Sequence, residues 1–510
     1  MTLELDGSTI SLNDVVRVAR SREPVKISPL ILEQLDTLRS QIDKMVASGE
    51  PVYGVSTGFG SLASTFIPPE NRAELQASLI RSHAAGVGDE VEAEVVRAMM
   101  VCRLRTMCSG VTGVRSSTAL AYANLLNSGL TPTVPEFGSL GCSGDLAPLA
   151  HVALALMGEG FVRQPDGVRV SSRDALADVG LEPIVLAEKE GLAMINGTDG
   201  MLGMLALAIE DGVELLRIAD VSASVSIQAL RGTDRVFVEE LQALRPQVGQ
   251  GASAANLVRL MANSPIVADH LSDVTQVQDA YSLRCAPQVH GAARDTFDHA
   301  RGVAEIELAA AIDNPSLLPD GSLSSNGNFH GAPLAYVLDF CAIVVADVAS
   351  MAERRTDRLL DPNRNFGLPA FLAHRPGIDS GIMIGHYTQA ALVSEMKRLA
   401  VPASTDSIPT SAMQEDHVSM GWHAARKLRR SLDLLRQVLS IELLASTRAL
   451  TLRHPLRGSE SAEALVSALA ARGLGPGPDR HLAPDIATVE DFLRSGSWWQ
   501  AIGPTVAELE

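Results

Sequence analysis

The chain has 510 residues, a formal net charge of −18, and a composition that is 46% hydrophobic but only 4% aromatic. This length predicts about two to four structural units, and an interior built from Ala, Leu, Val and Ile favours packed helices over a β-sandwich. The acidic charge argues against a large phosphate-binding face, so we expect a small-molecule substrate and no nucleic-acid partner.

The N-terminal segment and the cysteines indicate where the protein resides. The segment MTLELDGSTISL lacks the basic and apolar regions of a secretory signal. No stretch of membrane-spanning length is free of charged residues. The five cysteines are odd in number and scattered along the chain, which suits reduced thiols. We therefore expect a cytoplasmic protein with no membrane partner.

In chain order, the first clear element is a helix over residues 31–46, where apolar residues recur at steps of four and three and Gly49 provides a stop signal. From about residue 50 to 200, short helical pieces alternate with glycine-rich turns, which mark loops that need unusual backbone angles or close approach to a ligand. Long helical segments dominate after residue 200. Several are apolar on more than one face, so we expect them to be buried in a bundle or between subunits.

These elements predict a mainly α fold in three parts. Residues 1–200 carry the glycine-rich loops, residues 201–470 form a long helical bundle, and residues 471–510 form a loop and a C-terminal helix. No repeat with a period of about 20 to 50 residues occurs, so a solenoid is not expected.

Several common motifs are absent or incomplete. The glycines of residues 54–60 do not have the spacing of a dinucleotide fingerprint, and no P-loop occurs. The serine of residues 141–145 resembles a nucleophile elbow, but Asp145 stands where that motif needs glycine. The two histidines of residues 415–423 are six positions apart and would not share one face of a helix, so we expect no metal site there.

The segment from Gly138 to His151, GSLGCSGDLAPLAH, resembles the signature of the aromatic amino acid ammonia-lyase family. In that family an internal tripeptide cyclises to a 4-methylidene-imidazol-5-one (MIO) ring. The resemblance implies a mainly α, fumarase-like architecture, a homotetramer whose active sites combine loops from neighbouring subunits, and no external cofactor. Further segments that resemble the family are YGVSTGFG (53–60), LQASLIRSHAAGVG (75–88), NGTDGM (196–201), QDAYSLRCAPQ (278–288), DNP (313–315), NGNFHG (326–331) and DSIPTSAMQEDHVSMG (406–421).

The resemblance implies that the ring forms from Cys142, Ser143 and Gly144. The amide nitrogen of Gly144 would attack the carbonyl carbon of Cys142, and Ser143 would lose its hydroxyl to leave an exocyclic methylene. Glycine suits the attacking position because it has no Cβ to shield the approach. The family most often has alanine in place of Cys142, whose side chain stays a bystander to ring formation. A second Cys-Ser-Gly at residues 108–110 lacks the family context and is assigned to structure.

The reaction has to remove a β-proton that no carbonyl acidifies and to expel a poor leaving group. The resemblance implies that the ring's methylene captures the substrate amine and turns it into a better leaving group. It also implies that Tyr53 takes the β-proton, for which its phenol must lose a proton more readily than an ordinary tyrosine. Arg284 matches the arginine that binds the substrate carboxylate. Other residues that match the surroundings of the ring and the substrate are Asn196, Gln278, Tyr281 and Phe329.

Within the resemblance, substrate choice rests on His83 and Glu415. Lyases for phenylalanine or tyrosine commonly carry glutamine in place of this glutamate, and a carboxylate can accept a hydrogen bond from an imidazole N–H. We therefore expect elimination of ammonia from L-histidine to give trans-urocanate. Ser56 and Met413, where the family frequently has asparagine, leave fine substrate preference open. The alternatives are a phenylalanine or tyrosine lyase or an aminomutase with the same ring, a fumarase-like lyase without it, and a non-catalytic helical scaffold.

Overall fold

Helices form most of the computed structural model, which describes residues 2–48, 57, 65–270 and 277–510. The prediction of a mainly α fold is confirmed. The helices are α1 (Leu12–Arg20), α2 (Pro29–Ser48), α3 (Arg72–His83), α4 (Ala93–Cys108), α5 (Ser116–Asn127), α6 (Leu146–Leu156), α7 (Ser172–Asp178), α8 (Glu190–Ile195), α9 (Asp199–Ala229), α10 (Glu239–Ala243), α11 (Val248–Leu260), α12 (Pro265–His270), α13 (Tyr281–Arg284), α14 (Ala286–Ala309), α15 (Ala332–Leu360), α16 (Met383–Leu399), α17 (Gly421–Arg453), α18 (Glu460–Ala470), α19 (Ala483–Arg494) and α20 (Ser497–Ile502).

Short strands pair into small sheets between the helices. In the first sheet β1 runs parallel to β2, and the other pairs are antiparallel: β3 with β5, β6 with both β4 and β7, and β8 with β9. The strands are β1 (Leu3–Leu5), β2 (Val25–Ile27), β3 (Val87–Glu90), β4 (Thr131–Pro132), β5 (Pro135–Phe137), β6 (Phe161–Arg163), β7 (Arg169–Ser171), β8 (Ser316–Leu317) and β9 (Leu323–Ser324).

The chain divides into two compact units, each assembled from three separate stretches. Unit 1 comprises residues 1–210, 300–339 and 402–426, and unit 2 comprises residues 211–299, 340–401 and 427–510. These units group residues that pack together in space, whereas the three predicted parts, residues 1–200, 201–470 and 471–510, follow one another along the chain. The three-part division therefore stays a prediction.

Unit 1 has its core around α4, whose side chains are buried on nearly every face from Val95 to Cys108. Helix α1 packs on α4, and α6 packs between α3 and α8. The start of α1 is fixed by a capping box, in which the Asp14 N–H donates to Ser11 Oγ and the Ser11 N–H donates to the Asp14 carboxylate. Strand β5 leads into a loop over residues 138–145, and α6 begins directly after it.

Unit 2 is built largely from long helical segments with charged groups inside. The fully buried Asp220 carboxylate accepts hydrogen bonds from His290, Arg294, Ser253 and Asn256. These donors outweigh burial and lower the pKa of Asp220 to about 2. The predicted loop near residue 473 is present, and two short helices, α19 and α20, follow it.

The helix predicted over residues 31–46 is confirmed as α2. Ile31, Leu35 and Ile42 are at most 3% exposed, while Leu38 and Met45 are half-buried. The long helices predicted after residue 200 are also confirmed, as α9, α15 and α17. The 3.6-residue period gave these elements reliably because each is long enough to repeat it several times.

Two helical stretches, Glu190–Ala229 and Ala332–Leu360, are long and apolar enough to cross a membrane by length and composition alone. Their most apolar windows are 100% and 61% buried inside the protein. Core helices of globular proteins pass the same test. On α15 the side chains left exposed include Tyr336, Phe340 and Ile343, which have the spacing of one helical face.

Candidate active site

The loop over residues 138–145 depends on two glycines with left-handed backbone angles, Gly141 (φ +64°) and Gly144 (φ +73°). A Cβ added to Gly144 would lie 2.1 Å from the carbonyl oxygen of Gly197 and 2.4 Å from its carbonyl carbon. Both contacts are with backbone, which cannot move aside as a flexible side chain can. Only glycine therefore fits at position 144.

Asp145 ties this loop to the start of α9. Its Oδ2 accepts hydrogen bonds from the N–H groups of Gly200 and Met201, both at 2.9 Å, and its own N–H donates to the Gly197 carbonyl at 2.7 Å. Ser139 Oγ donates to Asp145 Oδ1 at 2.8 Å. Complete burial raises the pKa of this carboxyl to about 7, against the hydrogen bonds, which lower it.

Two distant segments hold the other side of the loop. The Gly141 carbonyl accepts hydrogen bonds from Ser419 Oγ at 2.8 Å and from the Gly331 N–H at 3.1 Å. The N–H of Met420 donates to the Leu140 carbonyl at 2.8 Å. The end of the NGNFHG segment and the residues before α17 thus clamp the backbone just ahead of Cys142.

Asn196 lies directly after α8 and immediately before Gly197, whose carbonyl accepts the Asp145 N–H. Its Nδ2 donates to the Asn314 carbonyl at 3.1 Å, and its own carbonyl accepts from Arg103 at 3.0 Å. Its Oδ1 is buried and has no hydrogen-bond partner among the described residues. A buried amide oxygen without a donor is costly, so this atom is an available acceptor in the site.

The side chain of Cys142 contacts the predicted substrate-binding residue Glu415. Cys142 Sγ lies 3.5 Å from Glu415 Oε2, and Thr410 Oγ1 donates to the same oxygen at 3.0 Å. Cys142 is 9% exposed and packs with Val418 and Met420. Burial, followed by the neighbouring Glu415 carboxylate, raises the pKa of Cys142 to about 12.

The backbone before Glu415 is strained. Ser411, Ala412 and Met413 have φ of +52°, +52° and +71°, a left-handed run that residues with a Cβ disfavour. Thr410 and Glu415 close this turn through reciprocal backbone hydrogen bonds of 3.0 and 3.3 Å. Left-handed residues of this kind persist only where surrounding contacts hold them, and they concentrate at functional sites.

His83, at the end of α3, is half-buried within electrostatic range of Glu415. Its Nδ1–H donates to the Leu79 carbonyl at 2.9 Å, since a carbonyl oxygen can only accept. Burial lowers the pKa of His83 below its ordinary value, although the Leu79 carbonyl and the Glu415 carboxylate act in the opposite direction. The imidazole is therefore neutral near pH 7, with an unprotonated Nε2.

Ser143 and Phe329 are both half-buried in unit 1. After Phe329, the His330 ring stacks on His417 with centroids 5.6 Å apart and an interplanar angle of 5°. Of the predicted site residues, unit 1 thus contains His83, Cys142, Ser143, Gly144, Asn196, Phe329 and Glu415.

The remaining predicted residues that the structure describes belong to unit 2. Gln278 is exposed, Tyr281 is 69% exposed, and Arg284 stands over the Tyr281 ring with its guanidinium carbon 4.7 Å from the centroid. In the described parts of the chain, Arg284 has no acidic partner within salt-bridge distance, and its buried Nε makes no hydrogen bond. Tyr53, the predicted base, and Ser56 lie outside the described residues.

Sequence reasoning assigned no role to several residues that hold this site together. Asp145, Ser419 and Thr410 lie inside the segments that pointed to the family, yet their local sequence gives no sign of their partners. Gly197 lies inside NGTDGM, and its hydrogen bond with Asp145 likewise has no sign in the local sequence. The clue available for Asp145 was its position immediately before α6, where an acidic residue commonly stands at a helix start. No group of acidic, histidine or cysteine side chains suited to a metal ion occurs among the described residues.

Comparisons with known proteins cover nearly the whole chain. The model of the aromatic amino acid lyase family matches residues 10–471. The histidine ammonia-lyase of Streptomyces avermitilis is 58% identical over 497 residues, which is 97% of either chain. Among solved structures, tyrosine aminomutase from Streptomyces globisporus is 36% identical over 100% of both chains, with a TM-score of 0.93. Histidine ammonia-lyase from Trypanosoma cruzi is 38% identical, with a TM-score of 0.90, over 99% of this chain and 96% of that one.

Proposed function

Because the chain belongs to the aromatic amino acid lyase family, we propose that it eliminates ammonia from L-histidine to give trans-urocanate. The observation that carries this choice is the contact between the Glu415 carboxylate and the Cys142-Ser143-Gly144 loop, since a carboxylate there would accept an imidazole N–H beside the predicted ring. The similarity to histidine ammonia-lyases over nearly the full length supports the same choice. Membership of the family sets aside a fumarase-like lyase and a non-catalytic scaffold.

The residues of the loop fit the MIO group that the family implies. Gly144 has a left-handed φ and no room for a Cβ, and the backbone before Cys142 is clamped by Ser419 and Gly331. Cys142 would contribute only backbone atoms to the ring, Gly144 its amide nitrogen, and Ser143 its backbone and the Cβ that becomes the methylene once the hydroxyl has left. When formed, the group supplies an electrophilic methylene that captures the substrate amine and improves ammonia as a leaving group.

The chain's own residues would perform the proton transfer and hold the substrate. We assign Tyr53 as the base for the β-proton, and Arg284 as the permanent cation for the substrate carboxylate. The absence of an acidic partner for Arg284 within the described part of the chain supports that role. Asn196 Oδ1 would accept a hydrogen bond in the site, because the structure leaves it buried and unpaired.

We also propose a homotetramer with shared active sites, which the exposure of Gln278 and Tyr281 supports. Both side chains lie on the surface of unit 2, where a second copy of the chain could cover them. The exposed stripe Tyr336, Phe340 and Ile343 on α15 is a further apolar surface suited to a subunit contact. We place the assembly in the cytoplasm, in keeping with five free cysteines.

Recognition of the substrate side chain would fall to His83, Phe329 and Glu415. A neutral His83 adds no competing positive charge beside Glu415. The Glu415 carboxylate accepts a hydrogen bond from the substrate imidazole, which a phenyl or phenol ring could not donate from the same position. Phe329 would pack beside the electrophile.

One assay of the purified protein tests the proposal. Conversion of L-histidine is followed by the ultraviolet absorbance of urocanate, while intact mass checks that the chain has lost two water molecules. Turnover with that mass loss is the expected result. A protein that carries the mass loss but leaves histidine unchanged would contradict the choice of substrate.

The structural similarity to a tyrosine aminomutase favours one second candidate, an aminomutase acting on an aromatic amino acid. Product analysis separates the two reactions. An aminomutase retains the nitrogen as a β-amino acid, whereas the proposed lyase releases ammonia in amounts equal to urocanate.

A further inference from the structure

The side chain of Cys142 has no part in forming the ring, yet the structure gives it a specific neighbour. Its Sγ lies 3.5 Å from Glu415 Oε2, across 273 positions of sequence. The thiol is buried with Val418 and Met420, and Leu140 and Ala403 complete the cluster. This packing leaves the thiol little freedom to turn away from the carboxylate.

Thr410 reaches the same oxygen from the other side of the strained turn. Its Oγ1 donates to Glu415 Oε2 at 3.0 Å, while the backbones of Thr410 and Glu415 exchange two hydrogen bonds. The left-handed run from Ser411 to Met413 between them is held in place by these contacts.

Both donors therefore meet Oε2, and Oε1 accepts no hydrogen bond from any described residue. A carboxylate with two donors on one oxygen cannot rotate freely, so its second oxygen points in one direction. We propose that Cys142 and Thr410 are positioning residues, which fix Glu415 so that Oε1 is free to accept the N–H of the substrate imidazole. This assignment rests on the proposed histidine elimination.

The thiol can act as a donor throughout the working range of an enzyme assay. Burial and the Glu415 charge raise the pKa of Cys142 to about 12, so the sulfur keeps its hydrogen at neutral and mildly alkaline pH. An alanine at this position would leave Thr410 as the single donor on Oε2. The departure from the family's usual alanine thus has a physical consequence for recognition.

The test compares Cys142→Ala, Thr410→Val and Cys142→Ser in the full-length protein, with kcat and KM measured on L-histidine. Each of the first two variants should lower kcat/KM about three- to tenfold, mainly through KM, since a tenfold change corresponds to roughly 1.4 kcal/mol. Cys142→Ser should recover most of the loss because a hydroxyl donates in the same place. If Cys142 only filled space, Cys142→Ser would not restore the KM for histidine while leaving kcat unchanged.

Binding provides a second readout that does not depend on the ring. In a Ser143→Ala background, calorimetry should show weaker L-histidine binding when Cys142→Ala or Thr410→Val is added, with little change for L-phenylalanine. Equal losses for the two amino acids would overturn the assignment, as would unchanged histidine binding in both variants.

Cys108→Ala is the matched control, because this thiol is also buried, is also followed by Ser-Gly, and also has its pKa raised to about 12. It should leave the KM for histidine unchanged. Intact mass verifies the ring in each variant. If Cys142→Ala fails to cyclise, Thr410→Val still tests the assignment, because Thr410 lies outside the tripeptide. A wild-type protein without histidine turnover would overturn the proposed function and this assignment together, whereas an active wild type with unaltered KM in the variants would overturn only the assignment.

Discussion

The chain contains Cys-Ser-Gly twice, and the two copies occupy different surroundings. Residues 108–110 end helix α4: Ser109 Oγ donates to the Thr106 carbonyl at 2.6 Å, and the Gly110 N–H donates to the Met107 carbonyl at 3.1 Å. Gly110 has φ +83°, as a glycine that terminates a helix often has. In this copy the tripeptide's polar groups are used to close a turn.

The copy at residues 142–144 lies in a loop whose contacts come from distant segments. A Cβ on Gly110 would meet Leu38 Cδ1 at 2.3 Å, the far end of a flexible side chain. A Cβ on Gly144 would meet the Gly197 carbonyl oxygen at 2.1 Å. The same three residues therefore serve a helix end in one place and face rigid backbone in the other, so the chemistry of the second copy depends on its packing.

Serine substitution gives the largest expected contrast between the copies. Ser143→Ala should lower histidine turnover by roughly a thousandfold or more, or ~4 kcal/mol in barrier, because no hydroxyl remains to leave. Intact mass should show that the loss of two waters is incomplete, because the water that comes from the serine hydroxyl cannot form. Ser109→Ala removes one hydrogen bond in a turn and should retain nearly all activity. Near wild-type turnover in Ser143→Ala would end the ring hypothesis.

Alanine substitution of the two glycines should give the next-largest difference in activity between the copies. Gly144→Ala should cut activity by about a hundredfold or more, since the loop has to shift away from Gly197 and misplacement by about 1 Å is costly in catalysis. Gly110→Ala should cost about 1–2 kcal/mol of stability for its left-handed backbone, because Leu38 can move aside, and it should remain active. Activity assays and urea unfolding curves on both variants distinguish these outcomes. Equal losses of activity in Gly144→Ala and Gly110→Ala would contradict the expected difference between the two copies.

The residue after each glycine also differs: Asp145 follows Gly144, and Val111 follows Gly110. In the folded protein burial raises the pKa of Asp145 from 3.8 to about 7, so between these values the folded state holds a proton that the unfolded state has lost. This contribution to stability is present at low pH and declines as pH rises through the window, by an amount on the order of 1–4 kcal/mol.

Residue 145 cannot titrate in Asp145→Asn. Between about pH 4 and about pH 7, the window set by the unfolded and folded pKa values of Asp145, the urea midpoint of this variant should therefore fall less than that of the wild type. The midpoint is measured at several pH values for both proteins. Identical slopes would show that this carboxyl does not carry the raised pKa.

The smallest expected effect concerns Glu415, which faces only the second copy. Glu415→Gln removes a charge-assisted hydrogen bond of about 1.5–3 kcal/mol, so kcat/KM for histidine should fall at least about tenfold. Any activity on phenylalanine should fall less or rise, because a phenyl ring offers no hydrogen bond to offset desolvation of the carboxylate. The exposed neighbour Asp416 supplies the control, Asp416→Asn. A proportional loss on both substrates would place Glu415 in the shared chemistry.

Local sequence predicted the long helices and the second tripeptide's importance, but it could not predict the site's contacts. Helix α2 is visible because Ile31, Leu35 and Ile42 repeat the helical period. The pairing of Cys142 with Glu415 has no such local signal, since it depends on how segments 273 positions apart pack together.

Contacts between segments that are distant in the sequence also explain what else the sequence could not predict. Asn196 was predicted as a site residue, but its partner Asn314 was not, because a side-chain contact with a backbone carbonyl 118 positions away leaves no pattern in either segment. The placement of Arg284 in unit 2 likewise follows from the three-stretch assembly of each unit, which composition along the chain does not reveal.

The clamp on Gly141 sets an order of events during protein synthesis. Ser419 follows Gly141 by 278 positions, so a ribosome adding about 5–20 residues per second delivers it roughly 14 to 56 seconds later. Until then the loop lacks the Ser419 hydroxyl and the Met420 N–H, which hold the backbone just ahead of the tripeptide. Ring formation is therefore expected to follow translation of residues 402–426, and a nascent chain released before that stretch should carry an uncyclised Ser143.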